Sequence, residues 1–438
     1  MKTSSYFHDK VKKNFAQFFD SSVFKRLAKR SGFYSRTPRK ITALAFVLGF
    51  IECSLKKCCS YQGWAAAASR ISGKTLSRQS LFERLNEHAS AFAQELLQHV
   101  INRQLARVRN TAVFTWFNKV LLQDSTTLRL PDRLKKYFPG NISCGVQKAI
   151  ARIGCIIEIK TMQFLHFTLS GFTSNDQSAS PLIQQHLSPG DLVIRDLGFF
   201  TLDSLSIISE QHAYFLSRLP YKGHLYDEQG NVLSFKKLMS RKTLIDRWVW
   251  MGKVQRLPVR LVMTRLAPGK AAERKRKARK DRDRRYNHCK EYYQWLEYSC
   301  FITNVGDSIW KTHQVAEAYR VRWQIEMIFK SWKSGFNLKS TLEQPYRNVH
   351  RIITAILLML MFICLFMQKI FMFFKAKAQK RAGKILSLLR LAKYVAANLY
   401  FFFSATQNKV LKQIMKYCCY EVRSDRINMT QRILICTN

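Results

Sequence analysis

Five apolar runs in the middle of the chain constrain its fold most strongly, because each is rich in β-branched and aromatic residues. They read VFTWFNKVLLQDSTTLRL, ARIGCIIEIKT, QFLHFTLSGF, DLVIRD and HAYFLSRLP, and turn-like or polar stretches separate them. Runs of this composition and length are typical of β-strands. Because helical pieces follow several of these strands, the sequence predicts an α/β core.

Helical periodicity predominates on both sides of this core, and a basic block interrupts it. The sequence predicts five regions: 1–110, a helical DNA-binding region; 111–220, the first part of the core; 221–298, a β-rich insertion with a basic arm; 299–345, the second part of the core; and 346–438, a helical basic region. A helical subdomain with a solvated basic face is an alternative interpretation of the first region.

The charge balance indicates a polyanionic partner. Lys and Arg number 73 against 28 Asp and Glu, which gives a formal net charge of +45. Such an excess repels itself, whereas neutralising phosphates releases counterions and gives strong, salt-dependent binding. Nucleic acid is therefore the expected partner, and a ribosome or an anionic membrane surface is the alternative. The run 274–285 also favours phosphate contact, although such runs are often solvated.

One apolar segment raises the question of a membrane. Residues 352–367 read IITAILLMLMFICLFM without a charge, which falls short of the roughly 20 residues of a spanning helix. Basic residues flank the segment on both sides, so it shows no positive-inside asymmetry. We expect a buried core helix and no membrane partner, and a membrane anchor is the alternative. The 11 cysteines form no CxxC motif, which fits reduced thiols in the cytoplasm, and we expect association with the nucleoid.

The stretch YRVRWQIEMIFKSWKSG, residues 319–335, places one acid among basic side chains. On a continuous α-helix, spacings of three and four residues put one set of side chains on a shared face. That set is Tyr319, Arg322, Glu326, Lys330 and Lys333. A second, apolar side can pack on a sheet, and its members are Val321, Ile325, Ile328 and Trp332. Ordinary surface ion pairs between Arg322, Glu326 and Lys330 are the alternative explanation.

Two further acids make ordinary surface ion pairs a weaker explanation for Glu326. Asp124 and Asp196 each follow an apolar run, at the expected junction of a buried strand and a loop, where ligand-binding groups collect in open α/β sheets. Two such Asp and Glu326 can together hold two Mg²⁺ ions. Two ions about 4 Å apart catalyse phosphoryl transfer. Arg195, which precedes Asp196, is either a DNA contact or a solvated side chain.

The spacing Tyr319-x2-Arg322-x3-Glu326-x6-Lys333 resembles the Y-R-E-K signature of bacterial insertion-sequence DDE transposases in full. The neighbouring RWQIE and FKSWKSG are also similar to that family, as is the order QDST, RDLGFF, FITN and then the signature. The resemblance covers roughly residues 114–342.

The resemblance implies an RNase H-like core, a mixed five-stranded sheet with flanking helices, which a mostly β insertion interrupts after the fifth strand. It also implies that Asp124, Asp196 and Glu326 bind the metal ions. Tyr319, Arg322 and Lys333 would then contact phosphates at the transposon end. Members of the family cut and paste their element with Mg²⁺ or Mn²⁺, often through a DNA hairpin intermediate. They act as a synaptic homodimer, which binds terminal inverted repeats and target DNA.

Two positions depart from the family pattern. Leu197 follows Asp196, where Arg is common in the family, so one possible phosphate contact is missing. Hairpin-forming members stack a Trp of the insertion on a flipped base, but Ser299 occupies the expected place and Trp295 lies nearby, out of register. A basic DNA-binding protein without catalysis, or a decayed copy of a transposase, is the alternative to an active enzyme.

Overall fold

A single sheet of ten strands organises the computed structural model, which describes residues 20–36, 38, 40–57, 59–104, 112–239, 243–280, 289–342, 348–399 and 407–420. The strands are β1 Val120–Leu130, β2 Pro139–Ser143, β3 Val146–Glu158, β4 Gln163–Gly171, β5 Leu192–Arg195, β6 Tyr214–Arg218, β7 Leu225–Tyr226, β8 Leu244–Met251, β9 Leu257–Arg265 and β10 Tyr298–Thr303.

Five of these strands form the predicted core in the order β4-β3-β1-β5-β6. Strand β3 pairs antiparallel with both β1 and β4, and β1, β5 and β6 run parallel to one another. This is the mixed five-stranded sheet of an RNase H-like core, and the predicted fold class is confirmed. Parallel pairing needs crossover connections, and the helix Leu202–Glu210 supplies one between β5 and β6.

The region between the fifth core strand and the Glu326 segment extends the same sheet. Strand β10 pairs antiparallel with β6, and β9, β8 and β7 follow outward from it. The β-rich character of this region agrees with the sequence prediction. Its strands are hydrogen-bonded to the core through β10, so the insertion does not form a separate layer.

Helices surround the sheet and make up most of the described residues before β1 and after β10. They are α1 Ser21–Arg30, α2 Ala43–Leu55, α3 Tyr61–Ser72, α4 Arg78–Arg84, α5 Glu87–Asn102, α6 Leu202–Glu210, α7 Phe235–Met239, α8 Pro268–Arg279, α9 Lys290–Trp295, α10 Thr312–Arg320, α11 Trp323–Lys330, α12 Leu338–Leu342, α13 Val349–Leu365, α14 Met372–Ala382, α15 Leu388–Ala397 and α16 Gln407–Tyr417.

The apolar helix α13 lies in the centre of a core that the two ends of the chain share. It packs against α5 and α2 from the N-terminal part. Polar contacts reinforce this packing: Asn348 donates to the carbonyl of Leu85 at 2.6 Å, and Arg351 donates to the carbonyl of Cys59 at 2.9 Å. The N-terminal helices and the segment after Glu326 are therefore held together.

By length and composition alone, the helical stretch Val349–Lys380 could cross a membrane. Within its most apolar window, 83% of the residues are buried inside the protein. A helix that is hydrophobic all round suits such a core position, because every face contacts other apolar side chains. This burial agrees with the predicted core helix.

We expect Leu358→Ala to lower the free energy of unfolding by about 3 kcal/mol, because Leu358 is fully buried and its truncation leaves a cavity. Val254→Ala is the control: Val254 is 92% exposed, and its truncation should change stability by less than about 0.5 kcal/mol. Urea unfolding followed by tryptophan fluorescence measures both. Equal stability of the two variants would contradict a core position for α13.

Candidate active site

The sheet opens between β1 and β5, at the point where these two strands stop pairing. Their register runs from Val120 opposite Leu192 to Gln123 opposite Arg195. Strand β1 continues to Leu130 and pairs only with β3 there. The expectation that Asp124 ends its strand is therefore wrong, because antiparallel pairing with β3 extends β1 beyond it. Asp124 nevertheless lies one residue past the last parallel pair.

Asp196 is the first residue after β5 and stands at the N-terminus of a 3₁₀ turn, Leu197–Phe199. Its position at a strand end agrees with the sequence prediction. Asp124 and Asp196 each follow the last pair between β1 and β5, Gln123 opposite Arg195, so the register brings both acids to the same opening in the sheet.

The segment that contains Glu326 is not the continuous α-helix that the spacing predicted. Helix α10 ends at Arg320 and α11 begins at Trp323, with short i to i+3 bonds between them, such as Ile325 N–H to the carbonyl of Arg322 at 3.1 Å. A π-helical turn, Ser331–Gly335, follows α11. Side chains three residues apart eclipse in 3₁₀ geometry, so Tyr319 and Arg322 can point the same way.

The apolar side predicted for this segment is confirmed. Ile325 and Trp332 are fully buried, and Ile328 is 1% exposed. The ring of Trp332 lies against Phe164 of β4 and Phe329, which places this segment on the sheet. The polar groups of Tyr319, Arg322 and Glu326, on another side of the segment, meet at the opening between β1 and β5.

The three acids converge on one guanidinium. Arg322 Nη2 donates to Glu326 Oε1 at 2.6 Å, and its Nη1 lies 3.3 Å from Asp124 Oδ2. Its Nε lies 3.7 Å from Asp196 Oδ1, which is an ion-pair distance and not a hydrogen bond. The side chain of Arg322 is only 9% exposed. A buried cation at the centre of three carboxylates compensates their mutual repulsion.

Burial and charge shift the pKa values at this site. Burial raises the pKa of Asp124 to about 6, although the N–H of Ser125, at 2.7 Å, and the charge of Arg322 act in the opposite direction. Burial alone would lower the pKa of Arg322, but the charge of Asp196 and the contacts to Tyr319 and Glu326 outweigh it and raise this pKa. Arg322 therefore stays charged and helps Asp124 to ionise.

Tyr319 belongs to the same cluster. Its hydroxyl donates to Asp196 Oδ1 at 3.0 Å, and its ring packs on Phe301 with centroids 5.0 Å apart. Tyr319 is 3% exposed, and burial, together with the charge of Asp196, raises its pKa. The structure thus places Tyr319 and Arg322 against the acids, and their predicted contacts with phosphates stay a prediction.

Two lysines of the signature segment lie further along it. Lys330 is exposed at the end of α11. Lys333 lies in the π-helical turn and is partly buried, and burial together with the charge of Lys339 lowers its pKa. Their role as DNA contacts stays a prediction.

A fourth acid supports the site, and sequence reasoning missed it. Asp176 Oδ1 accepts from Ser125 Oγ at 2.7 Å and from Arg152 Nη1 at 2.5 Å. Ser125 in turn donates its backbone N–H to Asp124. Asp176 lies in the polar stretch TSNDQS, where no periodicity marks it. Only the folded chain brings it beside Asp124.

Two residues occupy other surroundings than the sequence suggested. Arg195 is 3% exposed, so the expectation of a DNA contact or a solvated side chain is wrong; the strand places it beneath the sheet. Trp295 is 8% exposed, and its ring packs edge-on against Phe235 with centroids 4.9 Å apart. In this arrangement Trp295 has no free face on which a base could stack.

The acids suit a divalent cation by their chemistry. Carboxylate oxygens are the ligands that Mg²⁺ prefers, and these three already surround one positive charge in a partly buried site. Within the described ranges, no three Asp, Glu, His or Cys side chains stand close enough together to share a metal ion. The guanidinium of Arg322 lies between the acids, so a metal ion at their centre requires this side chain to move.

An RNase H-like sheet with acids from two strands and a helix at one opening defines the class of DDE nucleic-acid enzymes. Residues 115–362 match the family described as "Transposase DDE domain". The chain belongs to this family, and its resemblance to insertion-sequence transposases, including their role in DNA transposition, is confirmed.

Individual relatives agree with this assignment. The transposase for insertion sequence element IS231B of Bacillus thuringiensis subsp. berliner is 26% identical over 72% of this chain and 71% of its own length. The transposase for IS1151 of Clostridium perfringens is 26% identical over 75% of this chain and 74% of its own length. A piggyBac transposase synaptic complex with hairpin DNA covers 92% of this chain and 82% of its own, at 9% identity and a TM-score of 0.43, a likeness too slight to inform the fold.

We expect Arg322→Gln to lower the free energy of unfolding of the metal-free protein by about 3 kcal/mol, because three carboxylates lose their shared counter-charge. Thermal unfolding in EDTA measures this loss. Arg320→Gln is the matched control, since Arg320 lies two residues away and is only partly buried. Equal stability of the two variants would show that Arg322 does not compensate the acids.

Proposed function

We propose that this chain catalyses metal-dependent cleavage at the ends of an insertion sequence and transfer of the cut strand into target DNA, by cut and paste. The observation that supports this most strongly is the convergence of Asp124, Asp196 and Glu326, from three separate elements, on one cation. A protein that only binds DNA has no use for three acids around a partly buried centre, since acids repel phosphates.

The acids would hold two Mg²⁺ ions, with Mn²⁺ as a substitute. When bound, such ions activate the attacking hydroxyl and stabilise the leaving oxygen in phosphoryl transfer. Asp124 and Asp196 approach from the sheet and Glu326 from α11, so the ligands lie on different elements that the protein core keeps in place. Ser125 N–H orients the Asp124 carboxylate through its hydrogen bond.

Arg322 would have two successive partners. In the absence of metal ions it neutralises the acids; once cations occupy that place, its guanidinium is free to bind a DNA phosphate. Arg is well suited to this exchange, because its planar fork pairs with carboxylate and phosphate alike. Tyr319, Lys330 and Lys333 would add further phosphate contacts on the same side.

The wider assembly follows the same proposal. DNA partners would be the terminal inverted repeats and the target, held in a synaptic homodimer in the cytoplasm, at the nucleoid. The net charge of +45 supports binding to DNA over a long surface. Because Trp295 is buried, a hairpin intermediate would need another side chain to stack on the flipped base, or a rearrangement of the insertion.

We propose the domain boundaries of the sequence prediction for this architecture: 1–110, 111–220, 221–298, 299–345 and 346–438. The packing of α13 on α5 and α2 favours a DNA-binding N-terminal region that is rigidly connected to the catalytic core. Part of the basic run 274–285 lies in α8, and residues 281–288 lie outside the described residues.

We expect Asp124→Asn, Asp196→Asn and Glu326→Gln each to reduce strand cleavage at the transposon end at least about a hundredfold. DNA binding should be unchanged or tighter, because each change removes a negative charge. Cleavage of labelled end DNA in Mg²⁺ and gel-shift binding measure the two properties separately. Asp307→Asn is the control, since Asp307 is an exposed acid outside the cluster.

If Glu326→Gln cleaves at the wild-type rate in Mg²⁺, the proposed metal ligand is wrong. If the wild-type chain binds end DNA but never cuts it, a binding protein or a decayed copy is the better description. Inverted repeats and short direct repeats in the DNA around the coding region would independently support a mobile element.

We expect Mn²⁺ to raise the melting temperature of the wild-type protein, and to raise that of Arg322→Gln by more. The physical reason is that Arg322 and the metal ions compete for the same carboxylates, and any ligand that binds only the folded state stabilises it. Asp124→Asn should lose most of this effect. Thermal unfolding across a Mn²⁺ titration measures the three proteins, and identical shifts in all of them would contradict competition at this site.

A further inference from the structure

A buried arginine lies beneath the sheet, next to the proposed active site. Arg195 ends β5 and is 3% exposed. Its guanidinium donates to four neutral oxygens: Gln123 Oε1 at 3.2 Å, Ser180 Oγ at 2.6 Å, Ser180 O at 3.1 Å and Ser204 Oγ at 2.9 Å. Within the described residues no carboxylate forms an ion pair with it. A charge buried in this way is expensive, so the position calls for an explanation beyond packing.

The location of Arg195 suggests an explanation for its burial. Gln123 and Arg195 are the last residues paired between β1 and β5, and each directly precedes one of the two aspartates. Successive side chains of a strand point to opposite faces, so these two lie beneath the sheet and the acids lie above it. The hydrogen bond between Gln123 and Arg195 therefore joins β1 and β5 immediately before Asp124 and Asp196.

Ser180 extends this connection to the far side of Asp196. Its hydroxyl accepts from Arg195 and donates to the carbonyl of Phe199 at 2.9 Å, the last residue of the 3₁₀ turn that Asp196 opens. The side-chain amide of Gln123 donates to the carbonyl of Ala179 at 2.7 Å. The segment 179–180 is thus hydrogen-bonded to the residue before Asp124 and to the turn after Asp196.

Asp176, a few residues before this segment, connects it to the upper face of the sheet. It binds Ser125, the residue after Asp124, and an added Cβ on Gly198 would lie 3.2 Å from its Oδ2. Each aspartate is therefore bracketed by neighbours that contact residues 176–180. The Arg195 side chain forms hydrogen bonds to β1, to this segment and to α6 together.

We propose that Arg195 is a positioning residue, which sets the separation of Asp124 and Asp196 from below the sheet and so determines how well they share metal ions. The inference rests on the proposed function of the two aspartates. Arginine suits this role because its rigid fork reaches three groups in different directions. Lysine would keep the charge but cannot hold the three groups in one plane.

The test uses the full-length chain with Arg195→Met, Arg195→Lys and Ser180→Ala. Three properties are measured at a temperature where each variant is folded by circular dichroism: Mn²⁺ affinity by electron paramagnetic resonance, affinity for transposon-end DNA, and the kcat and KM of cleavage. The matched control is Arg260→Met, because Arg260 is equally buried in the same sheet but pairs with Asp246, away from the acids.

We expect Arg195→Met to weaken Mn²⁺ binding about tenfold or more and to lower kcat about 10- to 100-fold, with unchanged KM for DNA. Arg195→Lys should recover part of the loss. Ser180→Ala, a milder change that removes one arm of the connection, should show a smaller loss in the same direction. Arg260→Met should leave Mn²⁺ affinity at the wild-type value.

Wild-type Mn²⁺ affinity in folded Arg195→Met would overturn the inference. An equal loss in Arg260→Met would also overturn it, because the effect would then come from general loosening of the sheet. If Arg195→Met does not fold, Ser180→Ala decides between the same two outcomes. Failure of the proposed function looks different: Asp124→Asn would then bind Mn²⁺ as well as the wild type, whatever Arg195 does.

Discussion

The structure depends on how three carboxylates are kept close together in a partly buried place. Like charges at this range repel strongly in a low dielectric, and each pays for its lost hydration. Arg322 resolves this by pairing with Asp124, Asp196 and Glu326 at once. Since these acids belong to β1, to the turn after β5 and to α11, the same guanidinium also attaches the helix to the sheet.

Two arginines act on opposite faces of the sheet at this point. Arg322 lies above it and pairs with three carboxylates. Arg195 lies below it, among neutral partners that belong to the fold. Ion pairs thus hold the guanidinium of Arg322, whereas hydrogen bonds to several neutral oxygens of the fold hold that of Arg195.

The helices at both ends of the chain keep the Glu326 segment in position. Phe336, just after the π-helical turn, packs edge-on against Phe362 and Phe366 of the apolar helical stretch, with centroids 5.2 and 4.7 Å apart. Gly335 allows a second close approach, to α15, because an added Cβ would lie 2.7 Å from Ala392 Cβ. The apolar helical stretch therefore packs against the end of the Glu326 segment.

The sequence by itself determined the strands of the core and the apolar side of the Glu326 segment, and it singled out three acids that the structure brings around Arg322. Strand composition is a local property, and the spacing of Tyr319, Arg322, Glu326 and Lys333 is visible without a fold. Only the tertiary structure decided that β1 runs past Asp124, that the helix before Glu326 tightens, that Asp176 lies beside Asp124, and that Arg195 is buried. These features depend on pairing and burial between residues far apart in the chain, which no local pattern records.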